Sequence, residues 1–164
     1  MNVPTVRDWQ YYILENNLKS VDAILRLAAP DALTTYRDGG TGWTALEVLC
    51  HLRDLEEVAI ERARLTVEED SAALPSPDPD ALAAERRYNE QDVETALREW
   101  RARRAAYLTY VQARPDGDWE RVGLHPRRGP MTLFDQLMFL TMHDSLHIEQ
   151  MTRVLREQRT SEPS

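Results

Sequence analysis

Apolar residues in this chain recur at intervals of three and four over four long stretches, and no segment alternates convincingly between apolar and polar. That period is the mark of helices burying one face against their neighbours, so the expected fold is all-α, a four-helix bundle. Trp9, Tyr12, Ile13, Val21, Ile24, Leu25 and Ala28 trace the first helix from Thr5 until Pro30 stops it. The second opens at Thr44, which with Glu47 three residues on forms a capping box, and extends to about Asp70. Val48, His51, Leu55 and Val58 share one of its sides. A third stripe from about Gln91 carries Val93, Leu97, Trp100, Arg104, Leu108 and Val111, and ends at Pro115-Asp116-Gly117-Asp118. The fourth begins at Thr132 and Asp135 and continues through Leu133, Leu137, Leu140, His147, Met151 and Val154.

The connections differ in character. Asp31 to Gly42 reads as a glycine-rich loop, and residues 119–130 as a turn or short hairpin. Leu74 to Asp80 holds three prolines, which remove backbone donors and push their predecessors extended. It reads as a long crossover between helices two and three, with a short helical piece from Ala81 to Arg87. Residues 1–158 form one expected domain and 159–164 a flexible tail.

A net charge of -8 opposes the basic face that nucleic acid requires. No apolar run approaches the ~20 residues of a membrane span, and the N-terminus has no signal-peptide pattern. Cys50 is the sole cysteine, so no internal disulfide can form; the expected location is the cytoplasm.

Four histidines are present, and two stand four apart in the last helix. His143 and His147 then lie one turn apart on one face, and both imidazoles can reach a single point. His51 faces inward on helix two, which makes a three-histidine site between two packed helices the hypothesis to test. Three neutral imidazoles with an open fourth position are the ligand set of catalytic rather than structural zinc. The competing reading is three ordinary hydrogen-bonded core histidines.

A ligating histidine usually donates its other ring proton to an outer partner. Glu47 and Asp54, one turn either side of His51, and Gln150, one turn after His147, are candidates for that outer shell. Their alternatives are a helix cap for Glu47 and solvated surface for the other two. Asp144 stands where metalloproteases of the His-Glu-x-x-His type carry a general base, but aspartate is a methylene shorter and no downstream histidine ligand follows. Asp144 is therefore a weak catalytic candidate and a better one for orienting a ligand or fixing the bundle. Arg104, in an otherwise apolar stripe, needs a buried carboxylate partner; it reads as structural pairing, with substrate binding the alternative. His125, in a loop, reads as surface, and Cys50 as packing, with nucleophilic catalysis remote.

Trp43-Thr44…His51-Leu52-x-Asp54-x-Glu56, then Trp100-x-x-x-Arg104, Gly129-x-x-Thr132-Leu133 and His143-Asp144-x-x-His147-x-x-Gln150 together resemble the DinB-like, or YfiT-like, metalloenzyme superfamily. The motifs occur in the family's order and spacing over nearly the whole chain. The resemblance implies an up-up-down-down four-helix bundle, a metal held by His51, His143 and His147, zinc or nickel as that divalent metal, and frequent homodimers. It also implies relatives that act as thiol-dependent S-transferases or isomerases. The function expected first is therefore an S-transferase that joins a low-molecular-weight thiol to a small electrophile. A metal-dependent hydrolase and a non-catalytic, stress-responsive dimeric scaffold are the alternatives.

Overall fold

The computed structural model describes residues 5–161. Helices α1 (Val6–Leu27), α2 (Ala32–Thr35), α3 (Ala45–Glu68), α4 (Pro79–Glu85) and α5 (Val93–Gln112) precede an antiparallel hairpin, β1 (Val122–His125) and β2 (Gly129–Thr132), and α6 (Leu133–Ser161) closes the chain. The four long helices are those the periodicity outlined. Their starts follow local chemistry: capping boxes at Thr5 with Asp8 and at Thr44 with Glu47, and Asp92 accepting from the Thr95 amide. At α6, the Asp135 amide donates to Thr132 Oγ1 and the Thr132 amide donates back to the Asp135 carboxylate. The stretch expected as a plain loop after Pro30 contains α2, which buries Ala32 and Leu33. Four-residue strands are too short for a period-two signal, so the hairpin is a small addition to a helical fold. Of the tail expected from position 159, residues 162–164 lie outside the described residues, while α6 runs to Ser161.

Pairs across the interfaces give each helix its direction. On α3 and α5, Arg53 meets Glu99, Glu56 meets Arg104, and Ala63 shares a core with Tyr107 and Val111, so the two run parallel. On α3 and α6, His51 meets His143 whereas Thr66 meets Gln136, so these oppose each other. Leu14 clusters with Leu137 and Leu140, Asn17 reaches Asp144, and Val21 joins Met151, which sets α1 parallel to α6. Asp22 pairs with Arg101 and Arg7 with Asp116, which sets α1 against α5. The order is up, down, down, up, a correction to the up-up-down-down order that the family resemblance implied. Its cause is the link between α3 and α5, two consecutive helices that run the same way.

A 24-residue helix is ~36 Å long, and the chain must travel back that far before α5 can start. Residues 69–92 do so along α3. Leu74 donates to the Leu124 carbonyl at 3.0 Å, the Pro75 carbonyl accepts from Arg62 Nε at 2.8 Å, and Asp80 accepts from Trp43 Nε1 at 3.0 Å. Tyr88 then donates its hydroxyl to Asp54 at 2.7 Å. Gly123 is required where this segment crosses β1: a Cβ there would stand 2.6 Å from the Leu74 side chain and 2.7 Å from Thr66 Oγ1.

The interior has two apolar clusters. One gathers Val21, Leu25, Leu46, Leu49, Trp100 and Met151; the other gathers Leu14, Ala63, Tyr107, Val111, Leu137 and Leu140. A charged layer lies between them. Arg104, 0% exposed, donates through Nε to Glu56 at 2.7 Å, through Nη2 to Asp144 at 2.7 Å and through Nη1 to the Leu14 carbonyl at 3.1 Å. Burial holds the Glu56 and Asp144 carboxyls above their ordinary range against the opposing pull of Arg104. One oxygen of each, Glu56 Oε2 and Asp144 Oδ1, has no partner among the described residues, and one proton shared between the two carboxyls would leave the layer neutral.

Arg104→Met removes the only cation from this layer and strands both acids. We expect a loss of about 3–5 kcal/mol of stability, read as a lower urea midpoint at unchanged slope.

Candidate metal centre

The site forms where α3 and α6 face each other near the Trp43 loop. His51 Nε2 and His147 Nε2 each stand 3.1 Å from His143 Nε2, and ligand atoms of all three histidines lie within 4.8 Å of one another. The structure thus brings the three sequence-predicted ligands to one point. The i, i+4 pair supplies two rings by helix geometry alone; the third depends on the register of α3 against α6.

Three nitrogen lone pairs aimed at one point this close repel one another, and a cation among them relieves that repulsion. Protons are poor candidates, because burial, reinforced by the neighbouring imidazoles, drives the pKa of His51 down to about 3 and that of His143 down to about 2. Burial also lowers His147, against the hydrogen bond it donates to Gln150. A tetrahedral ion with bonds of about 2.0–2.1 Å separates its nitrogen ligands by about 3.3 Å, close to the 3.1 Å of the two pairs that include His143. The donor set therefore fits a divalent cation.

The tautomer of His147 follows from its neighbours. Gln150 Nε2 donates to Asp38 at 3.0 Å, so its Oε1 accepts, and His147 Nδ1 donates to it at 2.7 Å. His147 then carries its proton on Nδ1 and turns the Nε2 lone pair toward the centre. Asp38 is itself gripped by both arms of Arg153 at 2.9 Å, and that hydrogen bond holds its carboxyl below the usual range despite some burial. The loop that presents Asp38 turns through Gly39 and Gly40 at positive φ. Gly42 admits no side chain, since a Cβ would lie 2.7 Å from the Asp38 carbonyl. His143 Nδ1 is buried with no hydrogen-bond partner among the described residues.

The other expected outer residues face elsewhere. Glu47 accepts from the Thr44 amide at 2.8 Å and from Arg37 at 3.0 Å, so it caps α3 and makes no bond to His51. Asp54, expected as a partner of His51 or as solvated surface, is neither. It is buried, held by Arg53 at 2.6 Å, by Arg86 and Arg103 at 2.8 Å each, and by Tyr88. It fastens α5 and the return segment to α3. Asp144 points into the charged layer with Arg104, which removes it as a base at the centre and assigns Arg104 to structural pairing. Cys50 is buried beside Tyr88 and Gln91, and burial pushes its thiol up to about 12, which leaves it inert. His125, expected at the surface, is buried at the end of β1.

A cavity of about 230 Å³ opens over the three histidines. Trp43, Leu55, Val58, Leu82 and Phe139 form its apolar wall, and Arg62, Arg127 and Arg128 also line it. The Trp43 ring lies 4.8 Å from that of His51 and stacks on His147 at 6.2 Å. Sequence reasoning singled out neither Asp38 nor Arg62 for this site. The glycines after Asp38 signalled only a loop, whereas Arg62 falls on the same side of the helical wheel as His51, Leu55 and Val58, a signal that could have found it.

The fold and the site define a four-helix-bundle protein with a three-histidine centre open to a pocket. The chain belongs to the DinB superfamily, which matches residues 13–151. Its structure is similar to that of YfiT from Bacillus subtilis, described as a probable metal-dependent hydrolase with an unusual four-helix bundle topology, with a TM-score of 0.85, 22% identity, and coverage of 96% of this chain and 91% of that one. It is also similar to TT2238, a four-helix bundle protein, with a TM-score of 0.63, 22% identity, and coverage of 90% and 99% respectively. No curated protein matches the sequence. No helix among the described residues is long and apolar enough to cross a membrane.

Two outcomes are expected. Gln150→Ala lowers divalent-metal affinity by about 10- to 100-fold, because it frees the His147 ring, whereas Glu47→Gln at the helix cap leaves it unchanged, both read by competition with a chromophoric chelator. In chelator-treated protein, His51 and His143 stay neutral while the unfolded chain takes up protons from about pH 6.5 downward. Their folded pKa values are depressed, so stability is full above 6.5 and is lost as pH falls below it. The expected loss between pH 7.5 and 5.5 is about 1 kcal/mol per histidine, and His51→Asn removes its share.

Proposed function

We propose that this chain is a metal-dependent enzyme acting on a small molecule, with His51, His143 and His147 holding one divalent ion, zinc or nickel. The observation that carries this reading is the convergence of three neutral imidazoles at the base of an apolar pocket, with the His147 tautomer set by Gln150. When bound, the ion supplies a Lewis acid that lowers the pKa of a water or thiol toward neutrality. The protein's share is to orient the ligands through Gln150 and Asp38 and to limit water with the Trp43 and Phe139 walls. Hydrolysis is the first reaction class, supported by the description of YfiT.

A second reading, S-transfer from a low-molecular-weight thiol to an electrophile, is favoured by one feature. Asp54, which lines the cavity, and Asp144, which follows His143, are both engaged by arginines, so neither is placed to act as a base on the nucleophile. A thiol, with an ordinary pKa of about 8.5, needs less help to ionise than water does. Action in the cytoplasm as a homodimer completes the proposal; exposed Met142 and Leu146 on α6 support an association surface.

The test is metal content by mass spectrometry on untagged protein, beside His51→Ala and His147→Ala. About one equivalent of zinc or nickel in the parent, lost in both variants, is the expected result. A parent without metal, whose melting temperature does not rise when metal is added, would overturn the proposal. Metal-loaded protein is then offered an ester and amide panel, and separately small thiols with electrophiles. Turnover of the first panel alone assigns hydrolysis; turnover of the second alone assigns S-transfer.

A further inference from the structure

The cavity above the histidines is cationic on one side in a chain that carries 28 acidic and 20 basic residues. Arg64, Arg98 and Arg114, outside the cavity, pair with no carboxylate among the described residues, but most other arginines sit on one: Arg53, Arg86 and Arg103 on Asp54, Arg104 on Glu56 and Asp144, Arg153 on Asp38. Arg62, Arg127 and Arg128 do not. Among the described residues no carboxylate pairs with any of the three, although all line the same pocket as His51, His143 and His147. Arg62, only 8% exposed, spends its Nε–H on the Pro75 carbonyl. Arg127 reaches only the Ser76 hydroxyl, at 3.2 Å.

Arg128 Nη1 stands 3.2 Å from His125 Nε2, but that nitrogen is a poor acceptor. His125 Nδ1 already accepts from the Arg127 amide at 3.1 Å, so a neutral ring carries its proton on Nε2. The face of Phe139, 4.2 Å from the guanidinium carbon, is what supports Arg128. Three guanidinium groups held together without counter-charge repel one another: Arg62, in which burial is the larger cause, is depressed to about 10, with Arg128 and Arg127 adding to it. A buried cation without a partner is costly, and a partner that arrives with the ligand removes that cost.

We propose that Arg62, Arg127 and Arg128 form an oxyanion subsite, so that the substrate is a small anionic molecule. Its carboxylate or phosphate lies against the arginines, its apolar body lies along Phe139 and Leu55, and its reacting group lies over the histidines. The last placement rests on the function proposed above; the anion subsite does not. Guanidinium forks match either oxyanion bidentately, and they select charge before any chemistry occurs. Two of the three come from the β1–β2 turn, so the hairpin between α5 and α6 is the specificity element of this bundle.

The test uses 3-phenylpropionate, phenyl phosphate and neutral 3-phenylpropionamide, titrated by calorimetry into chelator-treated protein and again into metal-loaded protein. In metal-free protein at least one anion is expected to bind tenfold or more tighter than the amide, with affinity falling as salt rises. Tighter phenyl phosphate assigns a phosphate head, and tighter phenylpropionate a carboxylate. Arg127→Met and Arg128→Met, both in the turn, should each lose fivefold or more in that affinity while keeping the metal content of the parent. Binding of neither anion more tightly than the amide, or unaltered affinity in both variants, would overturn the subsite. A parent that holds metal but prefers neither anion over the amide counts against the subsite alone. A parent that binds the anion but holds no metal counts against the catalytic reading alone.

Discussion

Arg104 touches all four long helices: it leaves α5, bonds Glu56 of α3 and Asp144 of α6, and donates to the Leu14 carbonyl of α1. A buried guanidinium with fixed donor directions tolerates little slippage, so these contacts set the register of each helix against the others. Glu56 follows His51 by five residues and Asp144 follows His143 by one. Placing the two acids on Arg104 therefore places His51 opposite His143 and His147. The charged layer does not enter the centre, yet the centre depends on its alignment. Apolar clusters above and below supply most of the burial, but apolar contacts can slide and repack where a three-way ionic contact cannot.

The direction of the helices has a similar functional consequence. Because α3 and α5 run parallel, the chain returns along α3 between them, and this segment becomes one wall of the pocket through Pro77, Pro79 and Leu82. Asp54 binds that wall to the bundle with Arg53, Arg86, Arg103 and Tyr88. The adjoining rim comes from the hairpin, which is hydrogen-bonded to this segment through Leu124 and Leu74. A bundle of four antiparallel neighbours with short loops would have neither, and the three histidines would lie in a groove without depth. The connections, rather than the helices, thus shape what can reach the centre.

Around the histidines the chemistry divides by element. The helices supply ligands from rigid backbone, the Asp38 loop fixes one tautomer through Gln150, and the hairpin turn contributes positive charge. Each part comes from a region with its own local reason to hold its form: a capped helix, a glycine turn that excludes a side chain at Gly42, and a strand pinned by Gly123 against Leu74. That division lets the pocket rim vary without disturbing the three histidines.

Local rules determined much of this protein. Helical period and capping residues outlined the four long helices to within about two residues, and HxxxH placed two imidazoles on one face. The proline stretch marked where no long helix could run, although α4 begins at its third proline, Pro79, which occupies the first helical position. What local rules could not reach is which residues oppose one another across an interface. Glu47 and Asp54 stand one turn from His51 in sequence, yet one caps its helix and the other is held by three arginines, because side chains three or four apart share a face without sharing a partner. Helix order, the meeting of His51 with the α6 pair, the Gln150–Asp38 link and the three unpaired arginines arise from contacts over long sequence separation. Those contacts are decided when the charged layer and the return segment settle the helices into one register, a choice made by tertiary packing rather than by any single stretch of the chain.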